Sequence, residues 1–100
     1  MYGLIGKMLS VEGAREELLQ TMLTGMVEMP GCLSYVVARD PTDSNALWIT
    51  EVWTDRDSHQ ASLQLPAVQE AIRQARPMIA GVGERFETTP LGGVGLETSG

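Results

Sequence analysis

The sequence holds very little imidazole, thiol or ammonium: one histidine (His59), one cysteine (Cys32) and one lysine (Lys7) in 100 residues. A lone cysteine forms no internal disulfide and builds no zinc knuckle. With a single histidine beside it there is no cluster of soft or imidazole ligands for a transition metal, so metal-free chemistry in a reducing compartment is expected. Positive charge is also scarce, with 7 Lys plus Arg against 13 Asp plus Glu and a formal net charge of −6. A surface of that sign repels phosphate backbones and anionic lipid, which sets nucleic acid and membranes aside as partners. Long apolar runs are missing. The uncharged stretches Leu18–Val27 and Met29–Ala38 are half as long as a bilayer span requires. Met1–Gly13 lacks the charged start and long apolar run of a secretion signal, so a cytoplasmic protein is expected. Phosphate-loop, dinucleotide, zinc-protease and nucleophile-elbow signatures do not occur.

What is present suits one small ordered domain: 43% hydrophobic and 20% charged residues in a chain of 100. Tyr2–Leu9 is apolar at nearly every position and predicts a buried central strand. Ser10 stands at a capping position, and Glu12, Glu16 and Glu17 suit the positive end of a helix dipole, which predicts a helix from about Glu12. Its apolar stripe runs through Ala14, Leu18, Leu19, Met22, Leu23, Met26 and Val27 until Met29-Pro30-Gly31 ends it. Cys32–Arg39 and Ala46–Trp53 are strands of a hairpin around the turn residues Asp40–Asn45. In the second strand Leu47, Ile49, Glu51 and Trp53 share one face and Trp48, Thr50 and Val52 the other. Each face carries a Trp, so one is expected under helices and the other against a second subunit.

Thr54-Asp55-Arg56-Asp57 has the form of a capping box for a helix from Asp55 to about Leu63. Pro66 restarts a helix whose buried side is Val68, Ala71, Ile72 and Ala75, and Pro77 closes it. Gly81–Thr88 alternates as a strand nearer an edge, and residues 90–100 read as a flexible tail or an arm onto a partner beyond a domain of residues 1–89. The order strand, helix, strand, strand, broken helix, strand predicts an α+β, ferredoxin-like βαββαβ fold with a four-stranded antiparallel sheet.

Few residues bear chemistry. His59 is either a surface histidine or a base, and Glu51 either a rim carboxylate or one retained among apolar residues with a raised pKa. Met22, Met26 and Met29 at helical spacing are core filler or the wall of a pliant apolar cavity. Cys32, after Pro-Gly and without a nearby cation, reads as a small buried residue.

Met29-Pro30-Gly31-Cys32, Thr50-Glu51-Val52-Trp53-Thr54-Asp55, His59 with Ser62, and Pro66-Ala67-Val68 with its helix occur in the order that resembles the antibiotic biosynthesis monooxygenase domain, from Met1 to about Thr88. The resemblance implies a homodimer in which two ferredoxin-like sheets close an α+β barrel. It also implies oxygenation of small aromatic, quinol- or anthrone-type substrates by dioxygen with neither flavin nor metal. By position it puts the pocket tryptophan on Trp53, the imidazole six residues later on His59 and a helix arginine on Arg73. Where anthrone oxygenases of this family carry Asn four residues before the tryptophan, this chain has Ile49. The first strand holds no Asn of the haem-degrading kind, and one lysine leaves no phosphate grip.

On this basis His59 is the expected base and Trp53 a flat wall for ring stacking. Tyr35 and Arg73 are expected to orient substrate or an oxyanion, with Glu51, Ile49, Met22 and Met26 lining its pocket. The competing expectations are a non-catalytic ligand-binding or stress-response barrel and an isomerase working by proton transfer alone. An enzyme requires His59 and Trp53 on one enclosed cavity; a binder does not.

Overall fold

The computed structural model describes residues 1–96. Residues 97–100 of the expected tail lie outside the described residues. The elements are β1 (Tyr2–Ser10), α1 (Arg15–Gly25), β2 (Cys32–Arg39), β3 (Ala46–Trp53), α2 (Arg56–Ser62), α3 (Pro66–Ala75), a 3-10 turn at Arg76–Met78, and β4 (Ile79–Thr88). They form one four-stranded sheet in the order β2-β3-β1-β4 with every pairing antiparallel, the ferredoxin-like α+β arrangement.

β1 lies between β3 and β4, in keeping with a sequence that is apolar at nearly every position but Lys7 and Ser10. Its register sets Tyr2 opposite Trp53, Leu4 opposite Glu51, Gly6 opposite Ile49 and Met8 opposite Leu47, so these residues share the face that the helices cover. Under the helices, Leu18, Leu19 and Met22 of α1 pack with Leu47, Ile49 and Ala75, and a neighbouring cluster joins Met29, Trp53 and Val68. α1 and α3 approach very closely at Gly25, where an added Cβ would lie 2.4 Å from the Cβ of Ala71.

On the opposite face Val36 and Phe86 are each 53% exposed, so the single chain covers one side of its sheet and leaves the other open. Beside them Lys7 Nζ lies 3.7 Å from Asp40 Oδ2, and Trp48 Nε1 donates to the same oxygen at 2.9 Å. Asp40 also accepts from the Thr42 and Asp43 backbone N–H groups at 2.8 and 3.1 Å and so ties the β2–β3 loop.

Three local expectations need correction. α1 starts at Arg15 rather than Glu12, because Gly13 at φ 79° lies outside helical geometry; Ser10 is not its cap but the last residue of β1, paired with Ile79. α1 stops at Gly25, short of the expected Val27, and Leu23 and Val27 are exposed rather than part of the buried stripe. α2 is capped by Asp55, whose Oδ1 accepts from Ser58 N at 2.7 Å, while the Thr54 hydroxyl pairs with Ser58 Oγ at 3.1 Å; the capping residue is one later than the Thr54–Asp57 pattern places it.

Candidate functional site

Period-two geometry in β3 turns both Glu51 and Trp53 toward the helices, and α2 carries His59 over them. The Asp55 cap fixes the start of α2, and Ser62 Oγ donates to the His59 carbonyl at 2.6 Å. Gly31 locks the opposite wall. Its φ of 82° and an added Cβ only 2.5 Å from Ser58 exclude a side chain, and its carbonyl accepts from Thr54 N at 2.8 Å. The Pro30-Gly31 turn is thereby pressed against the first turn of α2.

These elements surround a cavity of about 90 Å³ lined by Met26, Met29, Tyr35, Glu51, Trp53 and His59, among others. Trp53 is 1% exposed and its Nε1 donates to Glu51 Oε1 at 3.0 Å. His59 meets the Trp53 ring edge-on at 5.4 Å between centroids and the Tyr2 ring at 5.7 Å. Its Nε2 lies 3.9 Å from Glu51 Oε1, beyond hydrogen-bond length, and its buried Nδ1 has no partner. The imidazole is therefore held by packing, with neither nitrogen committed to a hydrogen bond.

Burial pushes the Glu51 carboxyl above its ordinary range, against the opposing pull of the Trp53 N–H and of the His59 and Arg85 charges. Burial, reinforced by Glu51 and Cys32, pushes the Tyr35 phenol far up, so Tyr35 is a hydrogen-bond donor at any ordinary pH and not a base. Burial likewise raises the Cys32 thiol, whose Sγ donates to the Ser34 carbonyl at 3.6 Å; Cys32 does not line the cavity. Among the described residues no group of three or more His, Cys, Asp or Glu side chains is placed to hold a metal ion.

The cavity thus brings together His59, Trp53, Glu51, Tyr35 and Met26 of the expected set. It leaves out three. Met22 and Ile49 belong to the neighbouring core cluster, and Ile49 lines a separate chamber on the other side of Glu51. Arg73 turns outward on α3, 75% exposed and paired with Glu70, because the buried side of that helix is already occupied by Val68, Ala71 and Ala75. Tyr2 carries no local sequence signal that would place it at the site. Only the register that sets it opposite Trp53 brings it to His59, and its hydroxyl donates to Glu87 Oε2 at 2.6 Å under the Arg56 guanidinium.

The family profile described as antibiotic biosynthesis monooxygenase matches residues 1–74. The chain belongs to that family. Within this antibiotic biosynthesis monooxygenase domain, Glu51, Trp53 and His59 all fall in the matched segment, whereas β4 lies beyond it. A solved structure from Chloroflexus aurantiacus, itself assigned as an antibiotic biosynthesis monooxygenase, is 55% identical with a TM-score of 0.93, covering 96% of this chain and 98% of its own. SnoaB from Streptomyces nogalater, described as a cofactor-independent oxygenase, is 18% identical with a TM-score of 0.75 and covers 93% of this chain and 95% of its own, a likeness of fold. A Caulobacter crescentus structure is 17% identical at a TM-score of 0.81, covering 91% of this chain and 90% of its own, again a likeness of fold. Comparison with curated proteins gave no match. No helix among the described residues is long and apolar enough to cross a membrane.

Proposed function

We propose that this chain is a homodimeric, cofactor-independent monooxygenase of small aromatic, quinol- or anthrone-type substrates, working in the cytoplasm. The observation that carries the reading is that His59 and Trp53 line one buried cavity with the Glu51 carboxylate beside both. An electron-rich ring that has lost a proton reduces dioxygen itself. For a methylene between two rings, the substrate supplies all four electrons: CH2 becomes C=O with one oxygen atom, and the other leaves as water. The protein has to exclude solvent, hold the ring and take the proton. His59, assisted by Glu51, takes the proton, because a neutral imidazole offers one acceptor nitrogen and this ring has no committed hydrogen bond. Trp53 forms an aromatic wall and Tyr35 donates to developing negative charge.

The open sheet face, with Val36 and Phe86, is the surface through which two copies pair, and residues 90–96 run on from β4 beyond the domain of residues 1–89. Oxygen uptake on a panel of anthrones and quinols, without added flavin or metal, tests the reading. Uptake that falls on the order of a hundredfold in His59→Ala supports it. No uptake by the wild type across the panel returns the chain to the ligand-binding reading, and turnover that proceeds equally under argon identifies an isomerase.

A further inference from the structure

The torsion that joins an aromatic ring to Cβ has broad wells, so an imidazole without hydrogen bonds takes its orientation from what packs against it. His59 is in that position: Nε2 stays 3.9 Å from Glu51 Oε1 and the buried Nδ1 has no partner. Two rings lie against it. Trp53 meets it edge-on at 5.4 Å between centroids, and Tyr2 meets it at 5.7 Å with 44° between the planes, both within the range of favourable aromatic contact.

The two rings stand side by side because Tyr2 of β1 and Trp53 of β3 are register partners. Each is pinned at its polar tip by a glutamate. Trp53 is deeply buried and donates to Glu51 Oε1. Tyr2 is only partly buried, and its hydroxyl donates to Glu87 Oε2 at 2.6 Å. The same oxygen accepts from Arg56 Nη2 at 2.7 Å, and Arg56 Cζ lies 5.0 Å from the centroid of the Tyr2 ring. The Arg56 and Glu87 side chains are 63% and 45% exposed, and exposed ion pairs add little to stability. Their effect at this place is on Tyr2, whose hydroxyl and ring are both held, and Arg56 opens α2, the helix that carries His59.

We propose that Tyr2 is a positioning residue for His59. Its ring is the outer jaw of an aromatic clamp whose inner jaw is Trp53, and the Arg56–Glu87 pair locks that jaw from the surface so that Nε2 is kept toward Glu51. A surface pair that makes no hydrogen bond to His59 thereby sets the aim of a buried imidazole. The bearing of the clamp on catalysis rests on the function proposed above; the clamp itself is a property of the protein without substrate.

His59 is the one histidine of the chain, so its ring resonances and its carbethoxylation by diethyl pyrocarbonate both report on this imidazole, and both are measured without substrate. Tyr2→Phe keeps a ring over the histidine and loses the bond to Glu87; Glu87→Ala removes the lock and leaves both rings. Each should broaden or double the His59 ring signals and raise the modification rate about twofold to tenfold, the worth of one hydrogen bond, with the urea midpoint unchanged. Glu87→Ala made in the Tyr2→Phe background should add less than about twofold, because both changes break the same bond. Unaltered ring signals and rate in either single variant would overturn the proposal, and so would a faster rate that comes only with a lower urea midpoint, the mark of a loosened fold. An absence of oxygen uptake by the wild type sinks the monooxygenase reading and leaves the clamp to be judged by these measurements alone.

Discussion

Trp53 and Glu51, two residues apart on the same face of β3, are joined side chain to side chain by a 3.0 Å hydrogen bond from the indole Nε1 to the carboxylate Oε1. The bond keeps a buried acid from rising further toward neutrality, since it favours the charged form against the burial that disfavours it. It also fixes the carboxylate beside His59 without engaging the imidazole.

Trp53→Phe removes this donor while keeping an aromatic ring. The Glu51 carboxyl should then titrate at higher pH than in the wild type, read by carbon-13 NMR of the labelled side chain. A midpoint that stays put or falls would show that the indole N–H has no hold on the carboxylate.

Because the folded-state pKa of Glu51 lies above its unfolded value of 4.5, ionised Glu51 opposes folding at neutral pH. As pH falls through the folded value the opposition fades, and it is gone below 4.5. Glu51→Gln should lack this gain. Urea midpoints of the two proteins, compared from pH 7 down to 4.5, should converge as the wild type gains stability relative to the variant.

Asp40 behaves oppositely. Bonds from Thr42 and Trp48 hold its carboxyl well below the usual carboxylate range, so its contribution is fully present above the unfolded value of 3.8 and is lost as pH drops below it. Asp40→Asn should be less stable than wild type at pH 7 and should show a shallower acid limb below 3.8 in a denaturation series.

Asp55→Ala removes the cap of α2 and should cost about 1 kcal/mol by urea unfolding. Since α2 carries His59, the histidine ring resonances should broaden or split in the variant; a sharp, unshifted ring spectrum would mean that the cap does not hold the imidazole in place.

Val36→Glu with Phe86→Glu places two charges on the open sheet face. Light scattering should give roughly twice the 10.8 kDa chain mass for wild type and the single-chain mass for the double variant. A dimer that survives both charges would move the interface elsewhere.

Strand and helix order, the edge position of the last strand and the two faces of β3 were all readable in the sequence, because each follows from local periodicity and turn chemistry: alternation around Ile49, the Asp40–Asn45 turn, proline at Pro66. The pairing of Glu51 with Trp53 and the placement of His59 near them were also within reach, since i and i+2 on a strand and a short helix after it are local relations. Helix ends were not, because they depended on Gly13's backbone angle and on which of Thr54 and Asp55 reached Ser58.

The sequence by itself determined the order of the elements, that Glu51 and Trp53 share one face of β3, and that His59 follows Trp53 by six residues on a short helix. Tertiary structure alone decided which of them share a space. Register across β1 brought Tyr2 to His59, and packing of α3 against α1 turned Arg73 outward. Those outcomes depend on contacts between segments distant in the chain, and no local pattern encodes the distance between two side chains that meet only after the sheet has paired.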